Sequence, residues 1–377
     1  MDRGEAVPTG IEGVPVAGTE EAARAERAET GWPRSSKSDS ERLSHRSAGA
    51  FQSPRAARKY WIILVLMLAV GALAAFGLLW YKNPMPLGTD QFWLIAERRM
   101  NAVIAMAVVA LSQAVATIAF HTVTNNRIIT PSIMGFDALY VAIHTSTIYF
   151  FGIAGIIGAR TTTMFIFQVV VMVALSLVLY SWLLTGKQAN MHAMLLVGIV
   201  IGGGLGSLST FMQRMLTPSE FDILSARLFS SVNNADPDYY PIAIPLCLTA
   251  VVLIYLNSKN LNLLALGSAT STNLGLNHRF HSIYMLVLIS VLMAISTALV
   301  GPMTFLGFLV ATLAYQFADT YDHRYLFPMA AAAAFVVLTS AYFIMNHIFY
   351  AQGVVSIIIE LVGGSVFLYV ILRKGRL

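Results

Sequence analysis

The chain has 377 residues, of which 57% are hydrophobic and 11% charged. Soluble domains carry about 25% charged residues, so this composition excludes a soluble globule and points to a polytopic membrane protein. The net charge of +5 does not mark a nucleic-acid-binding protein, and the one cysteine, Cys247, permits no intrachain disulfide and no cysteine metal site.

Residues 1–59 hold 19 of the 43 charged residues, and the 318 that follow hold 24. The first segment is rich in Ala, Glu, Arg, Ser and Gly without apolar periodicity, so a disordered cytoplasmic tail is expected over 1–59. It carries no short apolar stretch of the kind a cleaved signal peptide needs. Arg55, Arg58 and Lys59 stand directly before the first apolar run, a cytoplasmic flank by the positive-inside rule.

A transmembrane domain is expected over 60–377. Trp61 to Trp80 is 20 residues, enough to cross about 30 Å of hydrocarbon, and Tyr60, Trp61, Trp80 and Tyr81 bracket it as interfacial anchors. Further apolar stretches lie near 100–121, 132–152, 161–185, 191–213, 240–257, 282–300, 303–318, 327–347 and 353–372. The fold class is therefore an all-α membrane protein of about ten transmembrane helices. With an inside N-terminus, eleven Lys and Arg fall on inside flanks and six on outside flanks, which places both termini in the cytoplasm. Two connections are long enough to hold structure. Glu220–Phe229 reads as a short amphipathic surface helix. In 258–281, Leu264, Leu266, Leu274 and Leu276 either present an apolar face to a cytoplasmic partner or pack as a re-entrant loop.

No phosphate-cradling Gly-x-x-x-x-Gly-Lys-Ser/Thr, His-Glu-x-x-His, Cys-x-x-Cys or Gly-x-Ser-x-Gly occurs, so neither ATP hydrolysis nor hydrolase chemistry is expected. His121 and His144 are conceivable as a haem-ligand pair, or as hydrogen-bonded core residues. Gly198, Gly202, Gly203, Gly204 and Gly206 line one span; Gly198 and Gly202, then Gly202 and Gly206, have the spacing for close helix approach. They read as static packing or as a mobile pore-lining helix, and Gly363-Gly364 has the same two readings. Asp137 and Glu360 lie in apolar stretches, where a carboxylate tends to face a bundle interior or a wet path. Asp137 follows Pro131 and Gly135, so a broken, partly wet segment is expected there.

Three stretches carry a resemblance: Leu261-Asn-Leu-Leu-Ala-Leu-Gly267, Asn273-Leu-Gly-Leu-Asn277 and Gly301-Pro-Met-Thr-Phe-Leu-Gly-Phe-Leu309. With Asn126-Arg-Ile-Ile-Thr-Pro131-Ser-Ile-Met-Gly135 they resemble the iron-siderophore/vitamin B12 permease family of ABC importers, over about 60–377. Where that family continues Gly-Leu-x-x-Pro-His-x-x-Arg, this chain reads Gly307-Phe-Leu-Val-Ala-Thr-Leu-Ala-Tyr-Gln316. The departure is similar to the catecholate-siderophore permease subgroup, which pairs with a second, homologous permease chain.

The resemblance implies a permease in the bacterial cytoplasmic membrane, working among lipid with a second permease and two ATPase subunits. An extracytoplasmic siderophore-binding protein would deliver the ferric siderophore. The ATPases would grip the connection carrying Leu264, Leu266, Gly267, Leu274, Gly275 and Asn277. Arg98 and Arg99 become candidates for docking the binding protein, with interfacial anchoring as the alternative. Gly198, Gly202, Gly206, Glu360 and Gly363 become candidates for the pathway or subunit interface. No cofactor, catalytic residue, metal ligand or nucleic-acid partner is implied, because the siderophore already holds the iron. The rival readings are an ion- or proton-coupled secondary transporter and a membrane enzyme or haem protein.

Overall fold

An uninterrupted run of twenty apolar residues can satisfy its backbone polar groups within lipid as a helix, where every bond is internal to the segment. The computed structural model describes residues 49–51, 53–86, 88–158, 161–185, 191–348 and 355–374. The tail reading for 1–48 lies outside these residues. Each of the ten apolar stretches is helical over most of its described length. Helix α1 (Pro54–Trp80) begins within the segment assigned to the tail, because the Ser53 hydroxyl accepts from the Ala56 N–H at 3.2 Å and Pro54 occupies the first turn. The remaining long helices are α2 (Asp90–Val123), α3 (Phe136–Gly158), α4 (Thr162–Thr185) and α5 (Met191–Arg214). A short helix α6 (Pro218–Leu228) follows, then α7 (Tyr240–Leu256), α8 (Ser258–Leu264), α9 (Ser268–Asn273) and α10 (His278–Val300). The chain closes with α11 (Leu306–Ala318), α12 (His323–His347) and α13 (Val355–Lys374).

Seven of the described helices are long and apolar enough to cross a membrane. The apolar stretches Thr162–Val178, Leu306–Ala318 and Val355–Tyr369 are shorter. The 13 residues of α11 extend only about 20 Å, so α11 alone falls short of the hydrocarbon thickness. The expected span at 303–318 is thus a short helix preceded by non-helical backbone at Gly301–Met303.

The core forms around α2 and α10. The most apolar window of each is 78% buried, against 22% for α1. Helix α10 packs on α2, α4 and α7; α12 packs on α1, α2 and α11; α3 packs on α5. Some of the polar side chains inside this core pair across helices. Gln113 Nε2 donates to Ser296 Oγ at 3.1 Å, joining α2 to α10, and Ser112 Oγ lies 3.1 Å from Cys247 Sγ, joining α2 to α7. Cys247 is a buried free thiol, as its apolar setting predicts. Tyr60 Oη donates to the Tyr325 carbonyl at 3.0 Å, tying α1 to α12.

The amphipathic helix expected at Glu220–Phe229 is α6. Thr217 and Glu220 form a reciprocal capping box at its start, and Leu224 is fully buried against Ile148 of α3. The bonds that Glu220 accepts from the Thr217 backbone N–H and hydroxyl hold its carboxyl below the usual range.

Candidate functional site

At one end of the bundle, α8 and α9 connect α7 to α10. Gly267 and Gly275 both adopt left-handed backbone (φ +86° and +85°), and a Cβ on either would meet nothing within 4 Å. Their requirement is therefore conformational, not steric: they reverse the chain around α9. The four leucines do not share a face. Leu264 (1% exposed) and Leu276 turn into the protein, while Leu266 (54%) and Leu274 (58%) protrude. The two glycine turns cause this, since each reorients the residues on either side of it. Asn277 caps α10, its Oδ1 accepting from the Phe280 N–H at 3.1 Å.

Asn262 of α8 holds this connection to the core, a role the sequence reading did not assign. Its Nδ2 donates to Asp322 Oδ1 at 3.0 Å, and its Oδ1 accepts from the His323 backbone N–H at 3.1 Å. These two bonds fix which end of the amide is oxygen. His323 Nδ1, which also contacts that Oδ1, must then carry a proton. His323 Nε2 in turn lies 2.6 Å from Thr122 Oγ1 on α2. A continuous polar chain thus runs from α8 through the start of α12 to the end of α2. Its sequence signal was the polar residue inside Leu261-Asn-Leu-Leu.

Midway along the bundle, the Gly301-Pro302 segment interrupts the helices. Gly301 is left-handed (φ +95°), and its α-carbon faces Ser230, where a Cβ would come to 3.1 Å from backbone. Ser230 Oγ donates to the Pro302 carbonyl, and the Ser231 N–H donates to the Val300 carbonyl at 2.9 Å. The non-helical segment is therefore pinned by the loop after α6. Thr304, just beyond it, gathers the two intramembrane carboxylates. Its Oγ1 donates to Asp137 Oδ2 at 2.8 Å, and its backbone N–H faces the Glu360 carboxylate. The other Asp137 oxygen, Oδ1, is buried without a hydrogen-bond partner. The two carboxylates lie on α3 and α13, separated by 223 positions in the chain. They come together because both helices flank the segment that starts α11.

The broken segment expected before Asp137 is present: Ser132–Met134 forms a 3-10 turn and Gly135 is left-handed (φ +107°). It receives α5 at its glycines. A Cβ on Gly202 would lie 3.1 Å from the Gly135 Cα, and one on Gly198 3.3 Å from the Met134 carbonyl oxygen. Gly203, Gly204 and Gly206 have nothing within 4 Å. The stripe thus divides into a packed part and an open part. Gly363 of α13 is packed too, its virtual Cβ 2.7 Å from Phe305 Cβ.

At the opposite end from α8 and α9, a cavity of about 660 Å³ is lined by Lys82, Arg98, Arg99, Asn233, Asn346 and His347 among others. Arg99 is committed to structure. Its Nη1 donates to the Leu78 and Tyr81 carbonyls at 3.1 Å each, satisfying the free carbonyls at the end of α1. Arg98 lines the cavity without such a bond. His121 and His144 are not brought together: His121 stacks on Tyr315 of α11, whereas His144 packs on Tyr140 within α3. Among the described residues, no group of three or more His, Cys, Asp or Glu is placed to hold a metal ion.

The FecCD transport family matches residues 60–373. The chain is 56% identical over 332 residues to the petrobactin import system permease protein FatC of Bacillus anthracis, covering 88% of this chain and 94% of that protein. It is 36% identical to the petrobactin import system permease protein YclO of Bacillus subtilis, covering 82% and 98% respectively. Its fold is similar to a solved structure described as an inward-facing conformation of a metal-chelate type ABC transporter, with a TM-score of 0.68, 19% identity, and coverage of 82% of this chain and 97% of that one. A multi-pass helical chain with this match along its whole membrane domain is a member of the FecCD transport family.

Proposed function

We propose that the chain is one permease subunit of an ATP-driven importer of ferric siderophores in the bacterial cytoplasmic membrane. The observation that carries this reading is the 56% identity to a petrobactin import permease along nearly the full length of both chains. In this reading Leu266 and Leu274 are the residues an ATPase subunit covers, because they are the apolar side chains that α8 and α9 leave outward. Asn262 transmits movement of that connection into α12 and α2. The partner across the path is a second, homologous permease rather than another copy of this chain. The sequence supports this through Gly307–Gln316, which lacks the family's usual Pro, His and Arg. The face of α5 that carries Gly204, with Val200 and Phe211 exposed, fits a place against that second permease. Arg98 is the candidate for docking an extracytoplasmic binding protein, with Arg99 fixing the helix end beside it.

Uptake of radioiron-labelled ferric catecholate, in cells lacking this chain and in cells supplied with it, tests the proposal. Restored uptake that vanadate abolishes supports it. Uptake unchanged by deleting the chain, across a panel of labelled ferric siderophores, refutes it. One observation favours a second reading: the paired Asp137 and Glu360 at Thr304 are the kind of group a proton-coupled carrier uses. That reading predicts uptake abolished by a protonophore and indifferent to vanadate.

A further inference from the structure

The turn Asp319–Asp322 connects α11 to α12. Asp319 is left-handed (φ +46°), a backbone that aspartate adopts more readily than most side chains. The Thr320 hydroxyl accepts from the Asp322 N–H at 3.2 Å, and Asp322 Oδ1 accepts from the Arg324 N–H at 3.1 Å. The turn is therefore fixed on both sides of Tyr321, yet the Tyr321 side chain is 68% exposed. Its ring and hydroxyl make no ring contact or hydrogen bond with a described residue.

Two observations place this ring beside the α8–α9 connection. Asp322, the next residue, accepts from Asn262 Nδ2 of α8 at 3.0 Å. Leu266 follows Asn262 by four positions, and the Leu266 N–H still bonds the Leu263 carbonyl at 3.1 Å, so Leu266 projects from the same side of α8 as Asn262. The Asn262–Asp322 bond is thus flanked by two outward side chains, Leu266 (54% exposed) and Tyr321. Beside them runs a groove of about 450 Å³, with Ala265 on one wall and Tyr321 on another. Asn125 and Asn126, at the end of α2, line it as well. Helix α2 is among the most buried of the bundle, so a groove at its end opens inside the perimeter and not on the lipid-facing flank. The setting of Tyr321 is therefore not that of an interfacial lipid anchor.

We propose that Tyr321 is a second contact for the ATPase subunit, which seats an apolar ridge between Tyr321 and Leu266. The proposal rests on the reading that an ATPase subunit covers Leu266 and Leu274, and it extends that surface from the α8–α9 connection to the α11–α12 turn. What covers Tyr321 follows from continuity: a partner large enough to bury Leu266 reaches across the Asn262–Asp322 bond to the ring. An aromatic side chain on an already ordered turn offers a large contact area and loses little freedom when covered. The ATPase then holds α12 at two points, directly through the Asp319–Asp322 turn and indirectly through Asn262. A shift of the subunit moves the α8–α9 connection and the start of α12 together.

The test is site-specific photo-crosslinking in the assembled importer in nanodiscs. Benzoylphenylalanine is placed at position 321, at position 266 and, as a control, at position 93, where Trp93 is 59% exposed at the far end of α2. Irradiation is expected to join positions 321 and 266, but not 93, to the ATPase subunit. Tyr321→Ala should weaken ATPase affinity for the reconstituted permeases about tenfold at unchanged melting temperature, whereas Tyr321→Phe should weaken it by about twofold or less. An adduct from position 321 to lipid or to the second permease alone overturns the proposal. So does affinity that Tyr321→Ala leaves within about twofold while Leu274→Glu weakens it, a result that keeps the reading of the α8–α9 connection. Affinity unchanged by both Tyr321→Ala and Leu274→Glu rejects that reading together with the proposal.

Discussion

Replacing Leu274 by Glu separates the contact made by the α8–α9 connection from the fold that supports it. Leu274 is 58% exposed, so the folded chain by itself loses little when the side chain changes. Substitutions at such surface positions shift stability by about 0.5 kcal/mol or less. Burying a whole leucine is worth about 1.5–3 kcal/mol, and a little over half of Leu274 remains for a partner to cover. Its loss therefore removes about 1–2 kcal/mol per loop, roughly 5- to 30-fold in affinity for an ATPase subunit. A carboxylate trapped in that contact adds a desolvation penalty on top. The expected result is normal membrane insertion and unchanged melting, with weakened ATPase co-purification and loss of ATP-dependent uptake. Extending the change to Gly275→Glu adds backbone strain of about 1–2 kcal/mol at φ +85° but no clash, and deepens the defect. Leu264→Ala is the contrasting variant. Leu264 is buried, so its truncation costs about 2–5 kcal/mol and lowers the melting temperature directly. Wild-type uptake and ATPase affinity in a Leu274→Glu variant of normal stability would falsify the coupling role.

Three further outcomes follow from the geometry. Gly363→Ala places a Cβ 2.7 Å from Phe305 Cβ and is expected to cost about 1–3 kcal/mol. Gly206→Ala, with open space around it, should change stability by no more than about 1 kcal/mol, and equal melting shifts for the two would contradict the division of the glycines. Thr304→Val removes the donor to Asp137 and should destabilise by about 1–3 kcal/mol. Adding Asp137→Leu should recover part of that loss, and strict additivity in the double-mutant cycle would sink the idea that the two act as a pair. Arg99→Ala should lower the melting temperature by uncapping α1, whereas Arg98→Glu should spare stability and weaken binding-protein docking more at low salt than at high salt. Docking insensitive to salt and to Arg98 would remove that residue from the contact.

What was legible in the sequence follows a physical division. Apolar runs specify helices in lipid because no other local structure satisfies their backbone, so all ten stretches came out helical. The short α11 was less legible, since hydropathy registers apolar content and not the backbone break at Gly301-Pro302 that consumes part of the run. Local chemistry was readable at the Glu220–Phe229 surface helix and at the break of Pro131 and Gly135, whereas the Ser53 cap before Pro54 was passed over because the polar composition around it placed it in the tail. What sequence order concealed was the meeting of distant groups. Asp137 and Glu360 were each conspicuous as charges in apolar surroundings, but nothing in their spacing indicates that both face Thr304. That meeting is a product of helix packing around a non-helical segment. Asn262 was hidden for the opposite reason. An Asn in a leucine-rich run is unremarkable until α8 is laid against the start of α12, where its amide becomes the joint between the α8–α9 connection and the core. The glycines show the same limit in one helix: identical residues at identical spacing, Gly202 pressed on Gly135 and Gly206 against nothing, differ only in what the tertiary fold brings opposite them.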